Sequence, residues 1–347
     1  MAVCYFEPSA SSARACRQDM ETALWSSVGA LLADQLPDDH AALPDKPAST
    51  SLLDFGAYSD IRIEHPADGK MSPGVVAQAQ DYLLARMTGA SRPTVVEATP
   101  AFPIAMPAIS CLSLDTYSSA QIETLRRWWD IDPGNALCLM AVSPDRLHDT
   151  RAQIALAFER MKDCAPELYD ETLVTIRDII VALPGAATGL ELGGASSFAL
   201  WGALAINPDT QDDDGWVHYF KTIAHEAGHN LLFALARSEP LVRNNIDDTY
   251  SSPLRSDPRP MDGIFHAGFV SARESYALDK LLTWHENTGG LCARDAELAE
   301  AFFENAVIAF WQCSEILRKE ADLAALGEAI LADCERFMRE EFTVLTG

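Results

Sequence analysis

Residues 216–236 read WVHYFKTIAHEAGHNLLFALA, a proline-free run with apolar positions recurring at helical spacing. On a helix, residues four apart share a face, so His225 and His229 can aim at one ion. Glu226 projects from the neighbouring position towards a ligand of that ion, the geometry that gives H-E-x-x-H its chemistry. Thr222-Ile223-Ala224 before the motif and Asn230-Leu231 after it are uncharged, as a partly buried ligand face requires. The bland alternative is a helix that carries two histidines by chance. Against it, two imidazoles and a carboxylate on an otherwise apolar helix are costly unless something partners them.

Working upstream, GLELGGASSFALWGALAIN (189–207) reads as one or two strands at an edge or hairpin, followed by an acidic turn over 208–215. Helices are expected over 17–35, 74–87, 119–129, 144–161 and 166–183, with short strands at 94–98 and 137–142. Downstream, 238–260 is a long proline-rich loop, of the length that is usually functional or disordered. Three more helices follow, over 261–284, 293–319 and 323–342. The expected fold is α+β and predominantly helical, with a small sheet beside the HExxH helix, the layout of a zincin-like metal core. Residues 1–100, less regular and rich in Pro, Ser and Ala, are set apart as a peptide-recognition segment from a metalloenzyme domain over 101–347.

A third metal ligand is needed. The metzincin continuation wants Gly and His three and six residues beyond His229, where Leu232 and Leu235 stand. Glu274 lies on the following helix, but its Ala-Arg-Glu-Ser-Tyr setting matches the gluzincin pattern poorly. His266, among small and apolar residues, is the other candidate, although an isolated histidine there is more often a satisfied core residue. Arg273, seven residues on, shares its helical face and could help hold a small dicarboxylate. His218, seven residues before His225, could support the ligands from behind.

Bulk composition narrows the partners. Against 26 basic residues stand 51 acidic ones, a net charge of -25. That field repels nucleic acid and anionic membranes and suits, at most, a cationic peptide. No secretory signal or membrane-length apolar run is visible. The eight cysteines are scattered without CxxC pairs and read as reduced thiols, which points to the cytoplasm.

The segment YSSPLRSDPRPMDGIFH (250–266), downstream of HEAGH, resembles the HExxH-domain family found beside ribosomal-peptide (RiPP) modification genes, some of whose members are 2-oxoglutarate-dependent peptide β-hydroxylases. The likeness covers roughly residues 100–345. It implies iron(II), 2-oxoglutarate and dioxygen acting on a side-chain carbon of a precursor peptide, with His225, His229 and His266 on the metal. Arg255 and Arg259 fall on the family's arginine positions. A planar guanidinium suits a distal carboxylate. Equally, both arginines could organise their loop by pairing with Asp257 or Asp262. Two other readings stay open: a zinc peptidase with Glu226 as general base, and a peptide-binding protein in which the ion is structural.

Overall fold

The computed structural model describes residues 5–33, 47, 49–64, 69–90, 104–130, 137–185, 193–209, 215–255 and 257–342. Its elements are α1 (Ala10–Leu31), α2 (Leu52–Arg62), α3 (Pro73–Met87), β1 (Ala108–Cys111), α4 (Ser119–Trp129), β2 (Met140–Ala141), α5 (Pro144–Cys164), α6 (Pro166–Thr175), β3 (Asp178–Leu183), β4 (Gly194–Ala195), β5 (Ala203–Ile206), α7 (Gly215–Leu235), β6 (Thr249–Tyr250), β7 (Arg259–Pro260), α8 (Met261–Thr288), α9 (Ala293–Glu320) and α10 (Ala325–Phe342). The chain is mostly helical with a small sheet, as the composition and periodicity led us to expect. No described helix is long and apolar enough to cross a membrane. The described cysteines are free thiols.

Two compact units emerge. One comprises residues 14–155 and 173–213, so it takes in both sides of residue 100. It contains the whole five-stranded sheet, in which β3 is flanked in parallel by β1 and β5, β4 pairs antiparallel with β5, and β2 pairs antiparallel with the end of β3. Strand β3 explains one departure from expectation. The run Leu173–Leu183 carries helical periodicity into a β-branched stretch, and the helix stops at Thr175. Ile179, Ile180 and Val181 are fully buried. A strand covered on both faces reads as continuous apolar sequence, which periodicity alone does not distinguish from helix. Leu125, Trp128, Leu139, Ile180 and Leu200 are among the core residues of this unit. Helix α2, capped by a reciprocal Ser51–Asp54 box, also escaped the sequence reading. The strand expected at 94–98 lies outside the described residues.

The other unit comprises residues 1–13, 156–172 and 214–347 and carries α7 to α10. The five-stranded sheet and the HExxH helix therefore fall in different units, and the two-stranded β6–β7 sheet lies in the unit of α7. Within this unit α8 packs along both α7 and α9. At Gly268 the helices come close enough that a Cβ would lie 3.2 Å from Cys313. Helix α10 is tied to α9 through Glu335, which accepts from Ser314 (2.6 Å), Arg318 (2.9 Å) and Arg339 (3.2 Å).

That cluster makes a pH prediction. Burial alone would raise the Glu335 carboxyl pKa, but hydrogen bonds from Arg318 and Ser314 outweigh it and hold it below the usual range. A depressed folded pKa adds stability above the unfolded value, near 4.3, and that stability is lost as pH falls through the folded value. Glu335→Gln is therefore expected to cost about 1–3 kcal/mol at neutral pH. The gap to wild type should close in acid, as read by urea melts from pH 7 down to pH 3. A gap independent of pH would refute the assignment.

Candidate metal centre

The α7–α8 contact starts from a small residue. A Cβ added at Gly228 would lie 3.3 Å from Val270 Cγ1 and 3.5 Å from Arg273 Cγ, so glycine between the two histidines is what lets α8 lie this near. Closeness matters because Glu274 and His266, which touch the two histidines, both come from α8. Glu274 Oε1 lies 2.6 Å from His225 Nδ1. His225 Nε2 lies 3.2 Å from His229 Nε2. His229 Nδ1 in turn lies 3.0 Å from His266 Nδ1, and His266 Nε2 lies 3.9 Å from Asp262 Oδ2. The rings of His229 and His266 stack at 5.2 Å, and Phe233 covers His266 at 5.0 Å.

These contacts use opposite edges of each imidazole, so the side chains form a string and do not converge on one point. Among the described residues no group of three or more His, Cys, Asp or Glu is arranged to hold a metal ion. The part of the string that suits an ion is the facing pair of Nε2 atoms. Two ligands at about 2.0–2.1 Å from one cation, at an angle between octahedral and tetrahedral, sit about 2.8–3.4 Å apart. The His225–His229 separation of 3.2 Å falls in that window. His225 keeps 27% of its side chain exposed, enough for solvent or a ligand to reach it, whereas Glu226 is buried.

The electrostatics separate the rings. Burial disfavours the charged form of His225, but the Glu274 carboxylate beside it wins and raises the pKa. Burial, with His225 and His266 as neighbours, pushes His229 well below its ordinary value. His266 is also lowered, by burial first and by His225, against the pull of Asp262. Glu274 is lowered: burial opposes ionisation, and His225, Lys221 and His218 overcome it. A metal needs neutral imidazoles with a lone pair on the ligating nitrogen. His229 is neutral at physiological pH on this account. Glu274 favours a proton on His225, so a metal would have to displace the one on Nε2; with Glu274 still accepting the Nδ1–H, the freed Nε2 lone pair would then face His229.

The other expected site residues are placed as follows. Arg273 is fully buried: its stem packs on Gly228, Nη1 donates to the Phe6 carbonyl (2.6 Å), and Nη2 pairs with Glu171. Its guanidinium is committed to the protein interior, which corrects the expectation that it reaches towards a bound dicarboxylate beside His266. Arg255 and Arg259 both pair with Asp257, at 3.0 and 3.4 Å, and the hydrogen bond from Arg255 holds that carboxyl below its usual range. The loop they sit on is a short hairpin, with Tyr250 paired to Arg259, and Arg259 packs over Gly263 in the first turn of α8. His218 lies edge-on to Phe302, with Lys221 over the same ring. Sequence reasoning undervalued Glu274. Its usable signal was its position eight residues after His266, which brings it round near the same face of α8.

A cavity of about 170 Å³ lies elsewhere, among α2, α3 and α4, and its lining contains no histidine or cysteine. Of its two acids, Glu123 and Asp60, Asp60 accepts from Arg127 (2.6 Å), Thr124 (2.9 Å) and Trp128 (2.9 Å). Comparison of the chain with protein-family models and with curated proteins gave no match.

Proposed function

We propose that this chain is an iron(II)- and 2-oxoglutarate-dependent oxygenase that hydroxylates a side-chain β-carbon of a ribosomally made precursor peptide, built on a zincin-like metal core. One observation carries the metal half of this reading: the paired Nε2 atoms of His225 and His229, 3.2 Å apart, with a carboxylate on the outer edge of the first. Neutral imidazole suits iron(II) and zinc alike. The donor set therefore fits a divalent cation. His225 and His229 would hold it; His266, the third ligand expected from the sequence, lies on the Nδ1 edge of His229, away from the facing Nε2 atoms.

The oxygenase half rests on the likeness of residues 250–266 to the peptide-hydroxylase family. When bound, iron(II) and 2-oxoglutarate would supply the oxidising chemistry. The chain would bind and orient. Arg255 and Arg259, 39% and 28% exposed, could trade their shared Asp257 partner for the distal carboxylate of the 2-oxo acid. The net charge of -25 favours a cationic peptide segment as partner. Purified protein supplied with iron(II), 2-oxoglutarate and a precursor peptide encoded beside it should form succinate and add one oxygen atom to the peptide. Neither product appearing would sink this reading.

The second reading, a zinc peptidase, is favoured by Glu226 standing directly after the first histidine. Glu226→Gln separates the two. A general base contributes about 10²–10⁴-fold, so a peptidase would lose cleavage by that factor while keeping its metal. The oxygenase reading expects no cleavage in wild type, and a variant that still couples succinate formation to peptide oxidation.

A further inference from the structure

We infer that Glu274 is the positioning residue for His225: it holds the imidazole from behind and does not itself ligate the ion. This rests on the metal reading above and gives a different role to a residue that the sequence offered only as an alternative ligand. The Glu274 oxygen sits on Nδ1, the edge of the ring opposite to the nitrogen that faces His229. An imidazole ligand that donates its other N–H to a carboxylate is fixed in tautomer and orientation, and its ligating nitrogen is made more basic. The contact is short, 2.6 Å, and both side chains are largely covered, at 27% and 12% exposure.

The scaffold is arranged to keep that carboxylate where it is. Arg273, the preceding residue, lies with its stem against Gly228 of α7 and its guanidinium locked by Glu171 and the Phe6 carbonyl. Helix α8 is therefore pinned one residue from Glu274 and opposite the middle of the HEAGH turn. The far end of the string is built on the same plan. His229 presents Nδ1 to His266, 3.0 Å away, with Asp262 beyond at 3.9 Å. In both halves α7 supplies the ring and α8 supplies the group behind it.

Cobalt(II) titration of the full chain, followed by visible absorption, tests the assignment. Wild type is expected to bind one ion. Glu274→Gln should bind one ion about 10–100-fold more weakly, with the band positions and intensities of wild type, because the ligand set is unchanged. Glu274→Asp should recover part of the affinity. The Nδ1–H proton resonance of His225, present in wild type without metal, should be lost or shifted upfield in Glu274→Gln, a change that does not depend on metal at all. If Glu274→Gln instead alters the cobalt spectrum to a lower donor count, or abolishes binding while helix content is kept, Glu274 is a ligand and the inference is overturned. If wild type takes up no cobalt, zinc or iron(II), the metal reading falls and takes this assignment with it.

Discussion

His229→Ala is expected to abolish metal binding, with a loss well beyond the roughly 10–100-fold that follows when only an outer partner is removed. The reason lies in where His229 stands. It is the middle of the string, touching His225 through Nε2 and His266 through Nδ1. Its removal leaves no pair of facing imidazole nitrogens. The fold should survive, since alanine is the best helix former and the position lies well inside α7. The variant also removes a ring whose protonation the surroundings strongly oppose, a gain that appears as pH falls below the unfolded histidine value of about 6.5. Circular dichroism and thermal melting without metal should therefore match or exceed wild type, while calorimetric titration with zinc or cobalt shows no binding. Retention of wild-type affinity would mean that the facing imidazoles are a structural contact and nothing more.

Arg273→Met should destabilise the unit that carries α7 to α10 by about 3–5 kcal/mol, because it leaves the Glu171 carboxylate buried without its cation. Both side chains are nearly inaccessible, at 0% and 4% exposure, so water cannot compensate. Glu171 also accepts from the backbone N–H of Ser9 (2.7 Å), and Arg273 donates to the Phe6 carbonyl, so the pair ties Phe6 and Ser9 to α6 and α8. The double variant Glu171→Leu/Arg273→Met is expected to recover much of the loss, since a buried ion pair and a well-packed apolar substitute are often close in free energy. Urea denaturation monitored by tryptophan fluorescence measures both. A single variant within 1 kcal/mol of wild type would show that the pair is not an anchor.

Much of the candidate site could be read along one helix. The His225–His229 pair depends only on i,i+4 spacing within an uninterrupted apolar run, and α7 forms over Gly215–Leu235 as that pattern demands. The helices from α8 onwards also follow their periodicity closely. Errors gathered where local pattern is degenerate. The β-branched run entering β3 looks the same to a helix and to a doubly covered strand, and the hairpin around Arg259 gains its pairing only when Tyr250 closes on it.

The partners of those imidazoles were a different matter. His266 and Arg273 do lie near one face of α8, as their seven-residue spacing requires, and that face does meet α7. Spacing does not say where a long side chain ends. Arg273 finds Glu171 across 102 residues of sequence and Phe6 across 267, so a guanidinium that local reasoning would aim at a ligand is spent on the core. Glu274 acquires its role only because Gly228 lets α8 approach and brings its carboxylate against Nδ1 of His225. Amino-acid order determined which residues could share a helical face. Close packing of α7 on α8 decided which of them touch, because a hydrogen bond or an ion pair depends on ångström distances that periodicity does not carry.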